Sequence, residues 1–266
     1  MTRRLCLITG ASAGIGAAFA RIYASHGYDV ALTARRVDRL DALAEEIRLR
    51  SGVESFAIPC DLSEPGAADQ ILAALAAQGR HVDALVNNAG YGLRGNYGAT
   101  PWADQQAFLN VMVGAVCDLT HKVLPGMLER RFGRILNVAS VAGLIPGTPK
   151  STLYGPAKSF LVRFSEGLHL ETLGTGVHVS ALCPGLTWSE FHDVNGARER
   201  INEATPDWLW MGADEVAAAG YEASEANRPL AVPGAPNVVI GALAKLLPDE
   251  WIMALMRSRF GRLRGL

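Results

Sequence analysis

The run Leu5-Cys6-Leu7-Ile8-Thr9-Gly10-Ala11-Ser12-Ala13-Gly14-Ile15-Gly16 decides how the rest of the chain is read. Leu5–Thr9 is a short, almost wholly apolar strand, and it runs straight into a glycine-rich turn that opens a helix at Ile15. Such a turn reverses sharply and lets backbone N–H groups approach a pyrophosphate at the positive end of the helix. A side chain at Gly14 or Gly16 would crowd the phosphate or the helix–strand contact. Bare turn geometry also uses glycine, and the spacing G-x-x-x-G-x-G differs from the commoner G-x-G-x-x-G fingerprint.

Working outward, the same alternation repeats. Further strands are expected at Val30–Thr33, Ser55–Pro59, Ala84–Asn87, Arg134–Val138, Val177–Leu182 and Leu230–Val232. Apolar residues at helical spacing fill Ile15–Ser25, Arg39–Arg50, Ala67–Gln78, Trp102–Arg131 (two helices) and Leu153–Leu173. Strands apolar on both faces belong to parallel sheets covered by helices on each side. Repeated β–α alternation then implies right-handed crossovers and an α/β fold with a doubly wound, seven-stranded, mostly parallel sheet, Rossmann-like in type. No linker or repeat divides residues 1–266, which read as a single domain: a cofactor and catalytic core over 1–185, a polar segment over 187–211, and a helical extension over 236–266. Thr187–Met211 holds three of the five tryptophans and follows the C-terminal end of a strand. A lid over a ligand site and an ordinary surface insertion both have this character; the position favours the lid.

Composition excludes several classes. The chain has 266 residues, ample for a buried core, with 25 Lys+Arg against 26 Asp+Glu, so it lacks the basic footprint of a nucleic-acid binder. Its 49% hydrophobic and 19% charged residues are far from a disordered composition. The apolar stretch after Arg4 is too short for a signal peptide, and runs such as Val238–Leu247 fall short of the ~20 residues of a membrane span. Cys6, Cys60, Cys117 and Cys183 are widely spaced without a C-x-x-C pair, and the six histidines are scattered. They are read as core thiols in a reducing compartment, with no metal site and a cytoplasmic location expected.

Further residues fall in order behind the glycine turn: Asn87-Asn88-Ala89-Gly90 after the fourth strand, Asn110 in the next helix, Ser140 after the fifth strand, Tyr154-x-x-x-Lys158, and Pro184-Gly185 after the sixth. With Thr9-Gly10-x-x-x-Gly14-x-Gly16, this series resembles the short-chain dehydrogenase/reductase family in its short single-domain form, over roughly residues 4 to 232. Alone, each has an ordinary reading: a surface Tyr–Lys pair, a turn serine, a locally bonded asparagine. The resemblance implies an oxidoreductase with the catalytic set Asn110, Ser140, Tyr154 and Lys158.

The cofactor can be argued from the second strand's end, Leu32-Thr33-Ala34-Arg35-Arg36. An acidic residue there would bond a ribose 2′-OH and repel a 2′-phosphate, whereas guanidiniums suit a phosphate. The pair could also begin a solvated helix. NADP(H) is expected over NAD(H), and the family points the same way, with Arg35 on the phosphate and Arg36 stacking on adenine. Some NADP-type relatives have another basic residue before the middle glycine, where this chain has Ala13. The resemblance places Gly10, Ser12, Ala13, Gly14, Ile15 and Gly16 at the pyrophosphate and Asp61 and Leu62 at adenine. It places Asn88, Ala89 and Gly90 near the ribose, and Pro184, Gly185 and Thr187 beside the nicotinamide. Ser189 is a second candidate for the carboxamide contact, and Asp61 could instead cap a helix starting near Ser63.

Tyr154 and Lys158, four apart on a helix, share a face. Reduction of a carbonyl leaves an alkoxide that needs a proton, and alcohol oxidation needs the reverse. A phenol is a poor base at neutral pH, but a nearby ammonium and an oxidised nicotinamide favour its phenolate. Ser140 could polarise the carbonyl, and in the family the asparagine anchors a water that relays protons to the lysine. Pro156 is tolerated only in a helix's first turn, so Tyr154 is expected near the helix start. Pocket candidates Tyr91 to Leu93, Ala142 to Ile145, Pro149 and the 188–211 segment are mostly apolar, which suits a hydrophobic ketone, aldehyde or secondary alcohol. Non-catalytic NADP(H) binding, as a redox sensor, is the alternative; the complete catalytic set argues against it. The family implies a homodimer or homotetramer through Trp102–Arg131 and Leu153–Leu173. Trp251–Met256 followed by Arg257, Arg259, Arg262 and Arg264 suits packing on the protein or a neighbouring subunit ahead of an anionic membrane surface.

Overall fold

The computed structural model describes residues 3–93, 95–147, 152–190 and 205–262. Each strand read from the sequence forms: β1 (Leu5–Thr9), β2 (Asp29–Ala34), β3 (Ser55–Pro59), β4 (Ala84–Asn87), β5 (Gly133–Val138), β6 (Val177–Leu182) and β7 (Leu230–Ala231). They pair in parallel throughout, in the order β3-β2-β1-β4-β5-β6-β7. The order reverses between β1 and β4, and a crevice opens there at the carboxyl ends of the strands. This is one doubly wound Rossmann-like domain.

The helices are α1 (Gly14–Ser25), α2 (Val37–Ser51), α3 (Ala67–Ala76), α4 (Trp102–Leu109), α5 (Ala115–Glu129), α6 (Tyr154–Glu171), α7 (Ala213–Glu225), α8 (Ala235–Leu246) and α9 (Asp249–Arg262). The period-two alternation of side chains explains the continuous apolar strands. Cys6 and Ile8 of β1 face one core layer with Phe19 and Tyr23 of α1, Leu40 of α2 and Val216 of α7. Leu5 and Leu7 face the other, with Ile71 of α3, Leu119 and Met127 of α5 and Leu168 of α6. At the amino-terminal edge, away from the crevice, buried carboxylates tie strands together. Asp83 Oδ2 accepts from Leu5 N at 3.0 Å, and Asp29 meets Arg80 Nη2 at 2.7 Å.

Trp102–Arg131, expected as two helices, is one path interrupted by a π-helical turn over Asn110–Gly114, in which Ala115 N bonds Asn110 O. By length and composition Trp102–Glu129 could cross a membrane. In the fold it packs on the sheet, with Phe108, Leu119 and Met127 at zero exposure. Tyr154 is the first residue of α6, which puts Pro156 in the first turn, as the sequence requires. The ends of the expected lid are joined: Thr187 bridges Met211, Trp188 N donates to Met211 O at 2.9 Å, and the Trp188 and Trp210 rings stack at 4.3 Å. Residues 191–204 of that segment, and Pro149 among the pocket candidates, lie outside the described residues. The expected C-terminal extension is helical, and α8 packs through Gly241 near Leu144, beside the crevice.

Candidate active site

A cavity of about 1170 Å³ lies along the carboxyl ends of β1, β2, β4, β5 and β6. It exceeds the ~300–1,000 Å³ typical of small-ligand pockets, leaving room for a dinucleotide and a second molecule. At one end lies the glycine turn. Gly14 has φ +54°, and an added Cβ would stand 2.8 Å from Ser189 Cβ; at Gly16 it would stand 2.2 Å from Gly10 O and 2.6 Å from Asn88 Nδ2. Thus Gly16 lets α1 sit flush against its own turn, while Gly14 keeps the turn's outer surface close to the chain after β6. Asn88 and Thr9 brace this corner. Asn88 Nδ2 donates to Thr9 O at 2.9 Å and Gly10 O at 3.3 Å, and Thr9 Oγ1 accepts from Asn88 N at 2.9 Å and Ala89 N at 3.0 Å.

Beyond the turn, Arg35, Arg36 and Asp61 gather at the cavity rim. Arg35 Nη1 lies 3.9 Å from Asp61 Oδ2, both well exposed. Asp61 Oδ1 accepts from Ser63 N and Ser63 Oγ at 2.9 and 2.7 Å, which holds its carboxyl below the usual range. Asp61 therefore stabilises the turn after β3, and α3 starts later, at Ala67. Arg36 is held by the edge of its guanidinium, which leaves the flat face uncommitted. Its Nε and Nη2 donate to Ser12 Oγ at 3.2 and 2.9 Å, and its Nη1 to Glu190 Oε2 at 2.7 Å. Arg39 donates to the other oxygen of Glu190, and the two arginines keep that carboxyl below its ordinary range.

At the other end, Ser140, Tyr154 and Lys158 converge. Ser140 follows β5 and caps the short turn Val141–Gly143; its Oγ accepts from Ala142 N at 3.1 Å and donates to Pro184 O at 3.4 Å. An added Cβ at Gly143 would stand 2.6 Å from the Lys158 carbonyl carbon. The missing side chain lets this turn press on α6 and brings Ser140 to Tyr154. Burial pushes the Tyr154 phenol up to about 12; a hydrogen bond with Ser140 opposes this and the Cys183 thiol adds to it. Lys158 is 5% exposed, and its Nζ donates to Val138 O at 2.7 Å and lies 5.7 Å from the Tyr154 ring centroid. Burial lowers it to about 8. Desolvation thus outweighs the Ser140 hydrogen bond at the phenol.

Of the residues singled out from sequence, Gly10, Ser12–Ile15, Arg35, Arg36, Asp61, Leu62, Asn88–Gly90, Ser140, Tyr154, Lys158, Pro184, Gly185 and Thr187 all line this cavity. Gly16 lies beneath the lining. Asn110 is not brought to it either; at the π turn its Nδ2 donates to Ser63 O at 3.0 Å, tying the helix to the loop after β3. Several other lining residues carried no motif, Glu190, Asn237 and Ile240 among them. Glu190 belongs to the lid segment, and Asn237 and Ile240 belong to α8. Asn237 is signalled only through a neighbour: an added Cβ at Gly185 would stand 2.2 Å from Asn237 Oδ1. Among the described residues no group of three or more His, Cys, Asp or Glu could hold a metal ion.

The fold and site define a dinucleotide-type oxidoreductase architecture, and comparison with known proteins makes the class specific. The family model described as short chain dehydrogenase matches residues 4–199. A very-long-chain 3-oxoacyl-CoA reductase from Anas platyrhynchos is 34% identical over 264 residues, covering 97% of this chain and 80% of the relative. A solved short-chain dehydrogenase from Sphingobium yanoikuyae in complex with NADPH superposes with a TM-score of 0.79 at 30% identity, over 99% of this chain and 96% of that one. A bulky-bulky ketone specific alcohol dehydrogenase from Comamonas testosteroni gives a TM-score of 0.76 at 26% identity, over 100% and 96%. The chain belongs to the short-chain dehydrogenase/reductase family.

Proposed function

We propose that the protein is an NADP(H)-dependent oxidoreductase that interconverts hydrophobic ketones or aldehydes and secondary alcohols, with Tyr154 as the general acid/base. The observation that carries this is the convergence of Ser140, Tyr154 and buried Lys158 at one end of a cavity whose other end is the glycine turn. The chain's own chemistry fits the cofactor. The turn has no side chain at Gly10, Gly14 or Gly16, Ala34 puts no acid at the end of β2, and Arg35 and Arg36 supply positive charge at the rim. The solved relative with bound NADPH supports the same reading. When bound, the nicotinamide supplies or accepts the hydride.

The protein's part is the proton and the orientation. A phenol held up to about 12 keeps its proton at neutral pH and can give it from Oη to the substrate oxygen as negative charge grows there. Ser140 Oγ sits beside it to donate a hydrogen bond to the same oxygen. Lys158, lowered to about 8, holds its proton loosely enough to restore the one that Tyr154 loses. The substrate end is lined by Tyr91, Leu93, Val141, Ala142, Ile145 and Ile240, a mostly apolar wall that suits an apolar substrate. Exposed Phe160 and Leu170 on α6 support assembly through that helix into a homodimer or homotetramer. The test follows absorbance of the reduced nicotinamide with apolar ketones, aldehydes and alcohols, for the wild type and Tyr154→Phe. Turnover that falls ~10²–10⁴-fold in the variant, with NADPH binding kept, is expected; near-full turnover by the variant refutes the assignment.

A further inference from the structure

Glu190 is an acidic residue of the cavity lining that is paired with two arginines. It follows β6 by eight positions, yet its two carboxylate oxygens are taken by Arg36 of the β2–α2 connection and Arg39 of α2. Arg36 also donates through Nε and Nη2 to Ser12 of the glycine turn, so each of its three nitrogens makes a hydrogen bond within the chain. A second observation places the same segment on the cofactor corner: Ser189 Cβ stands 2.8 Å from where a Cβ at Gly14 would lie. Ser189 and Glu190 thus lie across the outer surface of the turn, with a carboxylate where a phosphate beside Arg36 would find its donors. Two anions on one guanidinium edge repel each other and compete for the same N–H groups.

We propose that Glu190 is an internal counter-anion that the 2′-phosphate of the cofactor must displace from Arg36 and Arg39, so that Glu190 sets how strongly the protein prefers NADPH to NADH. The inference rests on the NADP(H) reading above and adds to it a residue outside the family motifs. Displacement trades two exposed ion pairs for the phosphate contacts. Affinity for 2′-phosphorylated ligands is therefore lower than the arginines alone would give, and ligands without that phosphate do not meet the competition.

The test is calorimetric binding of adenosine 2′,5′-bisphosphate, adenosine 5′-monophosphate, NADPH and NADH to the full chain, as wild type, Glu190→Gln and Glu190→Ala. Both variants should bind the bisphosphate and NADPH roughly two- to thirtyfold more tightly, the range expected from removing two exposed ion pairs. Adenosine 5′-monophosphate and NADH should change less than about twofold. Unchanged or weaker bisphosphate binding in both variants, while the wild type still prefers NADPH, overturns the proposal and makes Glu190 a brace for the arginines. A wild type that binds the bisphosphate and the monophosphate equally refutes the cofactor reading itself.

Discussion

Replacing Gly16 by alanine tests the tightest contact in the cofactor corner. The new methyl would stand 2.2 Å from Gly10 O and 2.6 Å from Asn88 Nδ2, nearer than real Cβ atoms approach either. The oxygen belongs to the backbone and cannot rotate away. Asn88 is held by its bonds to Thr9 O and Gly10 O, so α1 must move off the turn or the asparagine must release it. Overpacking of this kind costs ~1–3 kcal/mol, and each loosened hydrogen bond adds ~0.5–1.5 kcal/mol. With both Asn88 bonds loosened the total is about 2–6 kcal/mol, which for a domain of this size lowers Tm by roughly 4–24 °C. Thermal unfolding followed by circular dichroism measures this, and titration with NADPH reads the distortion of the turn. The control is Gly167→Ala on α6, where an added Cβ meets nothing within 4 Å and the backbone is already helical. That change should stabilise by ~0.5–1 kcal/mol. If Gly16→Ala melts within about 2 °C of wild type and binds NADPH equally well, the packing argument is wrong.

Three further outcomes follow from the same geometry. Between pH of about 8 and 10.5 the unfolded chain holds a proton at Lys158 that the folded chain has released, so this residue makes stability rise with pH across that window. Lys158→Met removes the dependence, and its stability relative to wild type should fall by on the order of 3 kcal/mol between pH 7 and 10.5, read by urea unfolding; a constant difference contradicts the burial argument. Asn137 is fully buried, accepting from Asn87 Nδ2 at 2.8 Å and donating to Ser165 Oγ at 2.9 Å, so Asn137→Ala should cost about 2–4 kcal/mol in denaturant unfolding. A loss below ~0.5 kcal/mol would mean that the polar chain joining β4, β5 and α6 adds nothing to stability. Arg35→Ala should weaken NADPH binding far more than NADH binding; equal loss for both contradicts its assignment to the 2′-phosphate.

Much of this protein was legible in its sequence because the signals are local. Strands covered on both faces are mostly apolar, so Leu5–Thr9 stands out without any knowledge of its neighbours. Pro156 tolerates only the first helical turn, which put Tyr154 close to the start of α6, and it is the first residue there. The glycine turn and the Tyr154–Lys158 spacing are short-range patterns, and they marked both ends of the cavity. The path over Trp102–Arg131 was harder to read. α4 and α5 both form there, but the π turn that joins them, one residue longer than an α turn, carries no motif of its own.

What the tertiary structure alone decided depends on residues far apart in the chain. Glu190 meets Arg36 and Arg39 only because the chain leaving β6 returns across the glycine turn. Asn237 reaches the cavity only because α8 lies beside Gly185. Asn110 carries the motif, but its side-chain amide is committed to Ser63 O, a partner set by how the loop after β3 crosses the π turn. The proton affinities of Tyr154 and Lys158 were beyond reach for the same reason. Spacing puts the two on one helical face, but the desolvation that raises one and lowers the other comes from the walls that β5, β6 and the Val141–Gly143 turn build around them.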